Sequence, residues 1–109
     1  MAGDLLDMKA VDLAAEIAKR SVSATEVVQA FLDHIERVNP AVNALCTLNP
    51  RALEEAAACD RRLRSGEPPR PLEGVPFVVK DVIETAGLRT TFGSSILQHH
   101  VPAEDALAV

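Results

Sequence analysis

Residues 71–95 read PLEGVPFVVKDVIETAGLRTTFGSS, and the reading of this stretch decides the fold. A short apolar run, 75–79, delivers Lys80 and is followed at once by a carboxylate, Asp81. Beyond them lies a loop rich in glycine and hydroxyls: Gly87, Thr90, Thr91, Gly93, Ser94 and Ser95. An apolar run of this length beside Gly74 and Pro76 predicts a short buried strand. Lysine is rarely buried without a partner, and in open α/β sheets the carboxyl ends of strands are where ligands and chemistry collect. Spacing alone leaves two readings of Lys80, a lysine that snorkels from the strand end to water and a catalytic one, and it favours the first.

The wider pattern shifts that balance. Pro71, Leu72, Gly74, Val75, Pro76, Lys80, Asp81, Ile83, Ala86, Gly87, Thr90, Thr91, Gly93 and Ser94 fall without a gap on the lysine-bearing motif of the amidase signature family, which the stretch resembles. Val82 departs from it, standing where the family usually carries Asn. Weaker resemblance extends through the whole chain, to the HVPAEDA segment near its end. The resemblance implies a Ser–cis-Ser–Lys triad in which Lys80 accepts a proton from the bridging serine. That serine activates the nucleophilic one toward an amide carbonyl, a Ser-Lys variant of nucleophile activation. Both serines belong to a Gly/Ser-rich segment absent from these residues. The base must be a neutral amine, and burial beside Phe77, Val78 and Val79 would favour that form. Asp81, one residue on, would point to the opposite face of a strand, which casts it as a loop-fixing residue.

The implied fold class is α/β: a helical N-terminal layer over residues 1–66, then over 67–109 the first part of a mixed-sheet core, incomplete in this chain. Residues 1–109 are thus expected to be the N-terminal fragment of a single amidase domain. A composition of 48% hydrophobic and 25% charged residues suits a globular protein. With only 3% aromatics, the core must be built from Ala, Leu and Val. A net charge of −5 argues against a nucleic-acid surface. No run approaches a membrane span, and the N-terminus lacks the form of a secretory signal, so the expected location is cytoplasmic. Cys46 and Cys59 lack the second close pair of a metal site and read as buried free thiols rather than a disulfide. No cofactor is expected.

In chain order, Ala10, Leu13, Ala14 and Ile17 recur at helical spacing within a segment near 7–20. Ser23 and Glu26 have capping-box form and predict a second helix running to about Val38, with Val27, Phe31, Ile35 and Val38 on its apolar stripe. Pro40 should stop it. Residues 43–48 read as a strand or an extended connector. Asn49 as N-cap and Pro50 at the first position open a third helix over 51–64, with Ala52, Ala56, Cys59 and Leu63 inward. Glu54, Glu55, Arg61, Arg62 and Arg64 should face water, and Gly66 should close the helix. Residues 104–109 look like the first turn of a further helix.

Other chemistry is thinner. His99 and His100 read as a solvated loop rather than a metal site, His34 as a surface histidine, and Asp33 with Glu36 as a solvated face. Thr90, Thr91, Ser94 and Ser95 read as turn chemistry. Two function classes follow. The first is an amidase hydrolysing a small carboxamide, of which this chain supplies only Lys80, with the A subunit of a tRNA-dependent amidotransferase as alternative. TTFGSS and EDALAV lean toward the general amidases. The second is a non-catalytic helical interaction module. The expected partners are a small amide substrate, the remainder of the polypeptide or a companion chain, and a second copy in a homo-oligomer. Neither nucleic acid nor membrane is among them.

Overall fold

The structure, a computed structural model, describes residues 2–109. Four α-helices follow in order: α1 (Ala2–Asp7), α2 (Ala10–Ala18), α3 (Ala24–Val42) and α4 (Ala52–Arg64). A single 3₁₀ turn, Ser95–Leu97, comes later, and no strand forms among the described residues. The chain divides into two compact units. One takes the residues up to Ala44 with Pro50–Pro76; the other takes Leu45–Asn49 with Phe77–Val109.

The helical unit closes its own core. Leu13 and Ile17 of α2, Ala24, Val27 and Val28 of α3, and Ala56 and Leu63 of α4 are buried together, with Leu5, Met8, Phe31, Cys59 and Val75 packed around them. Ile17 and Val27 are the largest side chains sealed from solvent. Small residues at the contacts, such as Ala24 and Ala56, let these helices approach closely without aromatics. The apolar stripe of α3 therefore lies nearer its N-terminus than expected, since Val38 is exposed.

Helix ends are where sequence and structure differ. The first segment is two helices, because the chain turns at Met8 and Lys9, and α2 ends at Ala18. Its last turn closes as a Schellman motif: the Arg20 amide donates to the Ile17 carbonyl and the Ser21 amide to that of Glu16. Arg20 occupies the left-handed position at φ 60, where glycine is usual. The capping box of α3 forms as expected: the Glu26 amide donates to Ser23 Oγ at 3.0 Å and the Ser23 amide to Glu26 Oε2 at 2.8 Å. Asp60 of α4 supplies a second cap, accepting from the Ala24 amide at 2.7 Å, the Thr25 amide at 3.1 Å and Thr25 Oγ1 at 2.6 Å. The donors that open α3 are thereby satisfied.

Pro40 does not stop α3, which continues to Val42. Proline in a last turn removes only one ladder bond, and a tight terminus offsets it. The left-handed Asn43 donates to the Asn39 carbonyl, and the Ala44 amide donates to Asn39 Oδ1. Asn49 and Pro50 do not cap α4, whose N-cap is Arg51. Its far end behaves as expected. Gly66, at φ 92, donates to Leu63 and Glu67 to Arg62, again a Schellman pair.

The expected strand over 75–79 is not present. Val75 and Pro76 belong to the helical unit, whereas Phe77 and Val78 are 76% and 71% exposed. A strand exists only through its neighbour's backbone, and among the described residues 77–79 pair with none. The mixed-sheet core is thus unsupported here. Residues 43–48 are irregular, opening on the left-handed Asn43, and 104–109 form bends and turns rather than a helix.

Candidate active site

A turn precedes the lysine segment in one unit, and another begins at Lys80 in the other. In the first, the Val75 amide donates to the Leu72 carbonyl across Glu73 and Gly74, and Gly74 stands at φ 76 as the third residue of that turn. Positive φ there favours glycine, and space demands it too: a Cβ on Gly74 would lie 2.7 Å from Ala24 Cβ and 3.3 Å from Ile17 Cδ1. Beside it the Glu73 carboxylate is buried, 3.2 Å from the Arg70 amide and 2.7 Å from Arg62 Nη2. Burial pushes the Glu73 carboxyl up, but hydrogen bonds from Arg62, Cys59 and the Arg70 amide outweigh it and hold the group below the usual range. Arg62 therefore turns toward Glu73 rather than simply facing water. Burial, with Glu73 adjacent, raises the Cys59 thiol above its ordinary value.

Lys80 opens the second turn, in which the Ile83 amide donates to its carbonyl at 2.9 Å. Asp81 then fastens this turn to residues 91–94. Its carboxylate accepts from the Thr91 amide at 2.8 Å and from Thr91 Oγ1, while its carbonyl accepts from the Phe92 amide at 2.8 Å. Thr91 Oγ1 in turn accepts from the Gly93 amide at 3.2 Å. The Ser94 amide donates to the Thr91 carbonyl, with Phe92 at φ 54 and Gly93 at φ 68. Two positive φ values make this a type I′ turn. The Thr91 hydroxyl and amide hold Asp81 below the usual carboxylate range, helped by the Cys46 thiol and the Gly93 amide.

Arg89 completes the loop unit, its guanidinium donating to Thr47 Oγ1, the Gln98 carbonyl and the Cys46 carbonyl. Backbone bonds from Gly87 to Pro102, Thr90 to His100 and Ala106 to Glu84 run the segment after the lysine antiparallel to the last residues. Sequence reasoning marks neither Glu73 nor Arg89; the one signal it holds for Glu73 is an acidic residue set directly before a turn glycine.

Lys80 itself is exposed, and its amine has no hydrogen-bond partner among the described residues. The apolar enclosure expected from Phe77, Val78 and Val79 is therefore not supplied here, because Phe77 and Val78 project to solvent. Thr91 is buried in its bonds to Asp81, and Ser94 Oγ caps the 3₁₀ turn by accepting from the Ile96 amide. His100 Nε2 lies 3.1 Å from Glu84 Oε1, and Asp33 accepts from Gln29. Both cysteines are free, but Cys46 is exposed and Cys59 only partly buried, against the expectation of two buried thiols; no group of residues suited to a metal occurs among the described residues. No helix among them is long and apolar enough to cross a membrane.

Lys80 thus stands at the head of a turn, followed by the Asp81–Thr91 clasp, and it is comparison with known proteins that shows the class. The family model described as Amidase matches residues 26–109. The chain belongs to the amidase family. It is 50% identical over 107 residues to the A subunit of glutamyl-tRNA(Gln) amidotransferase from Acidothermus cellulolyticus, covering 97% of this chain and 21% of that one. With its counterpart from Bdellovibrio bacteriovorus it shares 45% over 106 residues, covering 97% and 22%. Native peptide amidase from Stenotrophomonas maltophilia superposes with a TM-score of 0.82 at 37% identity, over 91% of this chain and 21% of that enzyme. A chain from a vestigial protein complex linked to the origins of an s-triazine catabolic enzyme gives 0.83 at 34%, over 90% and 22%. The chain thus spans about a fifth of the length of the curated relatives it matches.

Proposed function

We propose that this chain is the lysine-bearing N-terminal portion of an amidase-signature enzyme of the amidotransferase A-subunit kind, with Lys80 as its general base. The observation that carries the reading is identity of 45% and 50% with two such subunits over 97% of the chain. It reverses the leaning toward general amidases drawn from TTFGSS and EDALAV, since whole-chain identity outweighs two short segments. The Lys80 amine, exposed and without a hydrogen-bond partner among the described residues, is available to a serine from the remainder of the protein. In this reading Lys80 takes the proton of a bridging serine, which deprotonates the nucleophile. The amide is cleaved through an acyl-enzyme, and companion subunits receive the ammonia released.

The general carboxamidase is the second reading, favoured by the likeness to peptide amidase. Ammonia release from glutamine, benzamide and a C-terminally amidated peptide separates the two in the full-length protein, with and without companion subunits. Glutamine turnover that needs the subunits supports the first; benzamide or peptide-amide turnover by the protein alone supports the second. In either case Lys80→Ala, Lys80→Met and Lys80→Arg should each lower kcat by about 10²–10⁴-fold. Guanidinium cannot accept a proton at workable pH, so near-parental turnover in Lys80→Arg would overturn the assignment.

A further inference from the structure

We infer that Asp81 and Thr91 are positioning residues for Lys80, acting as a clasp that fixes the backbone from which the amine is presented. The inference rests on the proposed role of Lys80 and adds how that role is held in place. A lysine side chain has four rotatable carbons, so the direction of its amine depends first on a fixed Cα. Four hydrogen bonds fix it here. The Ile83 amide closes the turn on the Lys80 carbonyl, and the next residue, Asp81, is tied by carboxylate and by carbonyl to Thr91 and Phe92.

The far side of the clasp is itself over-determined. Thr91 Oγ1 gives its proton to Asp81 while accepting from Gly93, so one hydroxyl joins both ends of the loop. Phe92 sits at φ 54, a conformation L-residues with a large side chain avoid. Backbone held in a sparsely populated region persists where its surroundings enforce it, and Asp81 bonds both Thr91 and the Phe92 amide itself. Val82 adds no side-chain hydrogen bond in this turn, leaving the duty to Asp81.

The test uses the full-length protein and ammonia release from glutamine and benzamide. Asp81→Ala should lower kcat by roughly 100-fold, the scale of a 1 Å misplacement, with KM little changed. Thr91→Val, which keeps the amide bond and loses the hydroxyl, should lower it about 10-fold, while Thr91→Ser stays near parental. Placed on Lys80→Ala, Asp81→Ala should cost nothing further, because groups acting as a unit are not additive. The inference is overturned if Asp81→Ala and Thr91→Val keep parental kcat, or if Asp81→Ala lowers residual activity equally with and without the lysine. The reading of Lys80 survives both results. It falls separately if Lys80→Ala alone retains turnover. Should Asp81→Ala fail to fold, the Thr91→Val and Thr91→Ser pair decides: equal losses in both refute the clasp, and recovery by serine alone supports it.

Discussion

The helical unit and the loop unit solve the same problem with different bonds. In the first, apolar side chains face inward and hydrogen bonds close the helix ends. In the second, Asp81, Arg89 and backbone pairing hold the chain together while Phe77, Val78, Val82, Ile96 and Leu107 face outward. The difference shows what each contributes: one stands on burial, and the other presents an exposed lysine on a polar frame with several apolar side chains in solvent. Exposed apolar surface of this kind marks an interaction face, and the 109-residue chain should self-associate at raised concentration, as measured by light scattering.

The sharpest way to break the comparison is to make the same kind of deletion in both units. Ile17→Ala, at a sealed core position, should cost about 2–5 kcal/mol in chemical denaturation. Phe77→Ala, at a side chain exposed to 76%, should move stability by no more than about 0.5 kcal/mol. A large loss at Phe77 would show that its surface is already covered in solution. Next comes Gly74→Ala, which combines a clash with Ala24 and a forced left-handed residue; about 3 kcal/mol is expected. Asp60→Ala strips three donors at the start of α3 and should cost about 2 kcal/mol. Arg20→Gly should stabilise by about 1 kcal/mol, since it relieves a left-handed non-glycine residue. Its melting temperature is the measure.

The smallest effect is local and depends on pH. Asp81 is depressed in the folded loop, so its contribution is complete above the unfolded carboxylate value and is lost as pH falls through the lower folded one. Amide protection at Thr91 and Phe92 should therefore decline on acidification below about pH 4, and the buried amides of α2 should hold longer. Asp81→Asn should remove that pH dependence.

How much of the molecule is legible in its sequence follows from the range of each interaction. The capping box of α3 is legible because Ser23 and Glu26 are three residues apart and define each other. Gly66 is legible for the same reason. The Asp60 cap is not, because its partners lie 35 and 36 residues away. Pro40 misleads because the rule for proline says nothing of a last turn closed by Asn39 and Asn43. The strand expected at 75–79 rests on composition, yet a strand is a relation between two segments, and among the described residues no second segment pairs with it. The motif singles out Lys80, but the exposure of its side chain is not legible, because the apolar run before it predicts burial. Its frame is legible only in part: Asp81 as a loop-fixing residue, but not the hydroxyl of Thr91 shared between Asp81 and Gly93.

The cap that Asp60 lends to α3 also bears on the order of folding. An isolated segment 23–42 can satisfy one opening amide with Ser23, while those of Ala24 and Thr25 have only water until α4 arrives. Nucleating a helix costs more than extending it, so the first turn of α3 gains its full stability only after a contact between distant parts of the chain. Mutations at Asp60 should consequently speed unfolding more than they slow folding, the signature of a residue whose bonds are made after the barrier.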